Sequence, residues 1–315
     1  MKRNKILGGL FGLCIGDALG VPFESCSRDE LKRNPVTAMV GYGVHNQPAG
    51  TWSDDSSLTF CLAATLCQGF NLDDIAGKFC KWLYEGYWTP YGKTFDVGNT
   101  TRQAIFRLTK GVNPEEAGGK SEYSNGNGSL MRILPLAYYL ENAEAPKKFE
   151  IIHQVSSITH AHPRSQIACA IYIQLAINLL KGDEPKLAYQ SMKATISDFY
   201  RKDPYCVEVN NFARILQADI SKLIEDEIKS SGYVIDTLEA SLWCLLNNNS
   251  YAETVLNAVN LGGDTDTTGA VTGGLAGIYY GYENIPKDWV EQIARKKDIM
   301  ELANRLNKKI YGNIL

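Results

Sequence analysis

The chain has 315 residues, 44% of them hydrophobic and 21% charged, with a formal net charge of −3. This is ordinary globular usage, which excludes disorder as the main state, and it leaves no basic excess to neutralise a nucleic-acid backbone, so general nucleic-acid binding is not expected. If the substrate is anionic, its positive counterpart has to come from local arginines, helix N-termini or bound cations.

The first segment, "MKRNKILGGLFGLCIG", has a basic start and an uncharged run, as a signal peptide would. Asp17 follows at once and no small-x-small cleavage site appears. The apolar run is also read as shorter than the roughly 18 residues a bilayer needs. A cytoplasmic protein without a membrane span is therefore expected. The eight cysteines form no C-x-x-C pair. Cys14, Cys61, Cys169 and Cys244 fall in apolar helical stretches, as buried thiols in a reducing compartment would.

Asp17 lies on the predicted first helix, where the plain reading is a buried carboxylate capping another backbone. Glu24 follows Pro22 in a loop, either as a solvated charge or as part of a site. In "GTWSDDSSLTFCLAATL" (50–66), Ser53, Asp54, Asp55 and Ser56 stand at the mouth of an apolar helix. Helical spacing of apolar residues continues over Leu58–Leu66, Ile75–Leu83, Ile167–Leu180 and Leu238–Leu246. "FDVGNTTRQAI" (95–105) opens a helix with Asp96, Gly98, Asn99, Thr100 and Thr101. "SNGNGSLMRILPLA" (124–137) is a Gly/Asn loop running into a helix, either a plain turn or a cradle whose free N–H groups hold phosphate. "SITHAHPRS" places His160 and His162 before a Pro-started helix; one is expected to touch a ligand and the other to be structural.

The last motif, "NLGGDTDTTGA" (260–270), again puts carboxylates and hydroxyls at a helix mouth: Asp264, Asp266 and Thr267. Alone, such a cluster is an elaborate cap. Two clusters, each followed by core-like sequence, suggest helix ends that converge, and converging carboxylates repel unless cations hold them. Hard oxygen ligands select Mg²⁺, Mn²⁺ or Ca²⁺ over zinc. Glycines recur every four residues at Gly8, Gly12, Gly16, Gly20 and again at Gly269, Gly273, Gly277, Gly281. Each costs roughly 0.5–1 kcal/mol of helix propensity relative to Ala, so both helices are predicted to be central and to touch a neighbour closely. No linker or tandem repeat divides the chain. The expectation is one all-α domain over residues 1–315, with a dozen or more helices. No coiled-coil seam or interface patch is legible, so a monomer is the default.

In order along the chain, "GLCIGDALGVPFE", "GTWSDDSSLT", "DVGNTTRQAI", "GNGSLMRILPL", "ITHAHPRS" and "NLGGDTDTTGAVTGGLAG" resemble the ADP-ribosylglycohydrolase family. The resemblance implies a compact orthogonal all-α bundle with a binuclear metal site, two Mg²⁺ or Mn²⁺. It implies Ser53, Asp54, Asp55, Asp264, Asp266 and Thr267 as metal ligands, with Ser53 and Ser56 where the family commonly has threonines. It implies Glu24 near the metals and the scissile bond, Asp96 as a proton handler, and Asn99, Thr100, the Gly126, Asn127, Gly128 and Ser129 loop and His160 as the ADP-ribose pocket.

The implied reaction cleaves the bond at ribose C1 of an ADP-ribosylated protein side chain and releases ADP-ribose. Asp55 and Asp266 would hold the attacking water, and Glu24 would guide it or gate metal access. Tyr87, Trp88 and Tyr123 are the aromatic candidates for adenine stacking. Arginine is the preferred linkage, with serine and acyl esters as alternatives. The rivals are a metal-dependent phosphate-ester hydrolase and a non-catalytic ADP-ribose-binding module.

Overall fold

In the computed structural model, which describes residues 2–202 and 204–312, eleven helices of ten residues or more carry the architecture. They are α1 (Lys2–Gly20), α2 (Asp54–Leu66), α3 (Leu72–Glu85), α4 (Asn99–Thr109), α5 (Ala145–Ser157) and α6 (Pro163–Lys181). The remainder are α7 (Pro185–Phe199), α8 (Val234–Asn247), α9 (Tyr251–Asn260), α10 (Thr265–Tyr280) and α11 (Lys296–Tyr311). Short helical turns join them, and among the described residues there are isolated β-bridges but no strand. The fold is all-α, as the helical spacing predicts, and one continuous apolar core runs from Ile6 to Leu306.

Two helices form the axis of that core. Residues 6–20 of α1 and 265–278 of α10 are buried on every side, the condition under which an all-apolar helix has no solvent face to keep polar. Their glycine stripes face each other. A β-carbon added at Gly16 would lie 2.5 Å from the Gly269 carbonyl carbon, and one at Gly12 would lie 3.0 Å from Gly277 Cα. Backbone therefore packs on backbone, as the four-residue spacing predicts. Gly281 departs from the series: it ends α10 with φ of 84° and meets only the Asn4 side chain.

The stretch Asn4–Phe23 is, by length and composition, long and apolar enough to cross a bilayer, which corrects the reading of this run as too short. In the fold it is a core helix, 94% buried. All eight cysteines are free thiols, and Cys14, Cys61, Cys169 and Cys244 are buried, as their helical settings suggest.

Away from the axis, α5 carries a buried polar knot. His153 Nε2 lies 2.6 Å from the Tyr200 hydroxyl, and His153 Nδ1 lies 3.1 Å from the Tyr205 hydroxyl, which itself donates to Gln166. Tyr205 has then spent its proton, so Nδ1 carries the donor and Nε2 accepts from Tyr200: a neutral ring. Burial depresses His153 to about 4 from the ordinary 6.5. As pH falls, the unfolded chain binds this proton first. The contribution to stability is therefore full above pH 6.5 and is lost as the pH drops from there toward 4. His153→Gln is expected to flatten the fall of unfolding free energy across this window by up to about 1.4 kcal/mol per pH unit. Urea titrations at a series of pH values measure it, and parallel slopes for the two proteins would contradict the neutral ring.

Candidate functional site

The site grows from the mouths of α2 and α10, and the first question is whether their carboxylates are spent as caps. At α2 they are not. Asp17, on α1, reaches across and accepts from Ser53 N–H (2.9 and 3.1 Å), Ser56 N–H (3.1 Å) and the Ser56 hydroxyl (2.6 Å). Ser53 is the N-cap, its hydroxyl accepting from Asp55 N–H at 3.3 Å. Asp17 thus does the capping expected of it, and Asp54 and Asp55 are left over. At α10, Asp264 is the N-cap residue but its side chain makes no capping bond. Its Oδ2 instead accepts from the Asn127 side-chain amide at 2.9 Å.

The leftover carboxylates converge beneath a cleft. Asp55 and Asp266 are fully buried, and one oxygen of each, Asp55 Oδ1 and Asp266 Oδ2, has no hydrogen-bond partner. Thr267 Oγ1 lies 3.4 Å from Asp55 Oδ2, which ties the two helix mouths together. Carboxylate oxygens of Asp17, Asp55 and Asp266 all come within 4.8 Å of one another. Around them, ligand-capable atoms of Glu24, His45, Asp96 and Asp266 form a second group within the same limit.

A buried carboxylate oxygen without a donor costs about as much as a lost hydrogen bond or more, and like charges this close raise the cost. The physical response is visible in each group. Burial, reinforced by the neighbouring carboxylates, pushes Asp54, Asp55 and Asp266 well above the usual carboxylate range. Burial also raises Asp17 to about 7 despite its hydrogen bonds. Asp96 is raised by burial and then by the facing Glu24. A carboxylate-rich pocket with orphaned buried oxygens, and a single imidazole at its edge, fits a hard divalent cation. Of the six residues the resemblance implies as ligands, Asp55 and Asp266 fall among the grouped carboxylates, Asp54, Asp264 and Thr267 line the cleft above them, and the Ser53 hydroxyl is bonded to Asp55.

The cleft above has a volume of about 260 Å³, just below the usual range of small-ligand pockets, about 300–1,000 Å³. Glu24, Asp54, Asp96, Asp264 and Thr267 line its acidic side. Asn99 and Thr100, at the first turn of α4, line the other side with Gly98. Gly98 caps α4 without a side chain of its own, so the helix N-terminus is open to an anion. Gly126, Asn127 and Gly128 complete the wall. His160 lines the cleft beside them, so close that a β-carbon on Gly128 would lie 2.8 Å from its Cε1. Burial, with Arg132 nearby, lowers His160 to about 3, so the ring is neutral. His162 accepts from Arg164 N–H and caps α6, the structural half of the pair.

Three assignments change on contact with the geometry. Ser129 does not face the cleft; it is buried, accepting from the Ser156 hydroxyl at 3.1 Å. The Asn127 backbone N–H is already bonded to Gly232 O at 3.0 Å, so it is not free for a phosphate. Its side chain meanwhile positions Asp264 and contacts Thr237. Among the aromatics, Trp88 is packed in the core between Phe60, at 5.2 Å, and the Arg295 guanidinium, at 4.6 Å. Tyr87 packs against the same core. Neither lines the cleft, and Tyr123 is 98% exposed outside it.

Two residues escaped the sequence reading. Arg132, fully buried over the Phe79 ring at 4.7 Å, donates to Val155 O and the Thr159 hydroxyl and so fixes the loop and His160 together. An arginine inside the apolar run "LMRILPL" was the available signal. His45 bonds the Glu24 carboxylate through Nε2 and lies against Phe95 at 5.4 Å; nothing in its local sequence announces that contact.

A sequence model of the family described as "ADP-ribosylglycohydrolase" matches residues 1–314. The ADP-ribosylarginine hydrolase Tri1 of Pseudomonas putida (strain GB-1) is 34% identical over 309 residues, covering 96% of this chain and 78% of that protein. The ADP-ribosyl-[dinitrogen reductase] glycohydrolase of Rhodospirillum rubrum is 28% identical, with 93% and 92% covered. A solved structure titled "ADP-ribosylglycohydrolase-related protein complex" superposes with a TM-score of 0.82 at 30% identity, covering 98% of both chains.

Proposed function

The chain belongs to the ADP-ribosylglycohydrolase family, and from that premise we propose that it is a metal-dependent hydrolase that frees ADP-ribose from modified arginine side chains. The observation that carries the metal dependence is the pair of buried, partnerless oxygens, Asp55 Oδ1 and Asp266 Oδ2, on two helix mouths whose carboxylates come within 4.8 Å of one another. The preference for arginine is supported by the arginine-directed relatives at 34% and 32% identity. The eight free thiols suit a reducing, cytoplasmic setting, and the single apolar core supports one domain.

Cleavage at ribose C1 passes through an oxocarbenium-like transition state and needs a protonated leaving group and a positioned water. When bound, one or two Mg²⁺ or Mn²⁺ ions would orient the ribose hydroxyls and acidify a water. The protein's own part is positional. Asp55 and Asp266 sit on rigid helix mouths, aimed at one point. Glu24 and Asp96 line the cleft and approach Asp266, the carboxylate common to both groups. Asp96 is held at φ of 50°, a strained position for a non-glycine residue, and its raised affinity for a proton suits an acid that hands it to the departing nitrogen. The open N-terminus of α4 offers N–H groups and its dipole to the pyrophosphate.

The test is release of free ADP-ribose from protein modified on arginine and, in parallel, on serine, with Mg²⁺, with Mn²⁺ or with chelator. Metal-dependent release from arginine is the expected result. Release from serine alone would overturn the linkage, and undiminished release in chelator would overturn the metal.

A further inference from the structure

Glu24 faces the acidic centre, yet its own segment is a short turn, Val21–Phe23 followed by Glu24, with no long helix to hold it. Two other stretches hold it instead. On one side, Ser25 N–H donates to Gly263 O at 2.7 Å and Gly263 N–H donates to Cys26 O at 2.8 Å, which sews the turn to the residue before Asp264. On the other side lies a tight loop closed by the Tyr42 N–H bonding Gln47 O.

That loop is clamped onto the turn. Gly43 has φ of 58°, and a β-carbon there would lie 2.7 Å from Pro22 Cα, so only glycine permits the approach. The side chains of Tyr42 and Val44 point away, 64% and 57% exposed, so the loop adds little to the core. The inward side chain is His45. Its Nε2 bonds Glu24 Oε2, its ring lies against Phe95, the residue before Asp96, and its ligand-capable atom falls within 4.8 Å of those of Glu24, Asp96 and Asp266. The loop therefore brings one imidazole to one carboxylate.

Building on the glycohydrolase reading, we infer that His45 is a positioning residue, which fixes the Glu24 carboxylate at the acidic centre so that it faces Asp96 and Asp266. Glu24 has rotatable bonds and a partly open setting, 25% exposed at the side chain; without His45 it samples orientations turned away from the site.

The experiment is a cycle of His45→Leu, Glu24→Gln and the double variant, with His45→Gln as the conservative rescue. Turnover, KM, Mn²⁺ affinity by calorimetry and melting temperature are read for each. His45→Leu is expected to lower kcat or Mn²⁺ affinity about 10–100-fold, the usual effect of losing a residue that orients a ligand, with KM and melting temperature near wild type. His45→Gln, which keeps a donor, is expected to recover most of the loss. In the Glu24→Gln background, His45→Leu is expected to have no further effect. Equal losses in both backgrounds, or a loss that tracks melting temperature and is not recovered by glutamine, would overturn the inference. If the wild-type protein releases no ADP-ribose from any linkage, the functional reading fails. The calorimetric cycle still decides His45, and Mn²⁺ affinity unchanged by His45→Leu overturns its role.

Discussion

Asp266→Asn is expected to cut ADP-ribose release by two to three orders of magnitude while raising the melting temperature of the metal-free protein. Both effects come from the same atoms. Asp266 is fully buried, Oδ1 accepts from Thr267 N–H at 2.9 Å, and Oδ2 has no partner. In the metal-free state, that oxygen is a cost without a return: a buried charge among Asp55, Asp96 and Asp264, or a carboxyl forced to keep its proton. An asparagine of the same shape removes the charge and offers a donor to its carboxylate neighbours. Relief of about 1–2 kcal/mol is reasonable for one such group, and at roughly 2–4 °C per kcal/mol for domains approaching this size it shows as a rise of several degrees. With Mn²⁺ the order reverses. The wild type gains RT ln(1 + [L]/Kd), about 4 kcal/mol at a thousandfold excess over Kd, and the variant forfeits most of that. Loss of a group that stabilises transition-state charge typically costs about 10²–10³ in turnover. Thermal scans with chelator and with Mn²⁺, beside the release assay, measure all three. A variant that is less stable than wild type in chelator would refute the charge-repulsion argument. A wild type indifferent to millimolar Mn²⁺ would refute the cation site.

The sequence discloses the site's acidic frame because that frame is local. Each half, Ser53–Asp54–Asp55 and Asp264–Asp266–Thr267, sits within a few residues of a helix start, where composition and position speak together. Whether such carboxylates are caps or spare ligands is not local. It is decided by Asp17, 36 residues away from Ser53, taking over the caps of α2. The same limit explains what was misread. Ser129 belongs to a loop, which has no periodicity to say which way a side chain turns, and it turns inward. Trp88 looked available because aromatic content is visible while its Phe60 and Arg295 neighbours, far along the chain, are not. His45 meets Glu24 through a loop whose placement depends on Gly43 lying on Pro22. Arg132 was hidden the other way: its apolar surroundings read as core, and it is core, yet it is the residue that fixes the pocket wall.

Gly16→Ala is expected to be strongly destabilising, and Gly77→Ala the opposite. Propensity alone favours alanine at both sites by about 0.5–1 kcal/mol, so any difference between them is packing. Gly77, in α3, is exposed, and an added β-carbon there meets nothing within 4 Å. The substitution should stabilise by about that propensity difference. At Gly16 the new carbon would lie 2.5 Å from the Gly269 carbonyl carbon and 3.1 Å from Ala270 N. The obstacle is the backbone of α10, which has no rotamer to change, so the helices must part. Parting them loosens contact along the whole stripe from Gly8–Gly277 to Gly20–Asp266. Overpacking usually costs about 1–3 kcal/mol and occasionally more; a clash with main chain at the axis of the core belongs at the upper end or beyond. Because Asp17 and Asp266 ride on these two helices, Gly16→Ala should also weaken Mn²⁺ binding, whereas Gly77→Ala should leave it alone. Urea denaturation of both variants and Mn²⁺ calorimetry on the folded fraction measure the pair. A Gly16→Ala protein as stable as Gly77→Ala would mean that the two helices do not touch through their glycines.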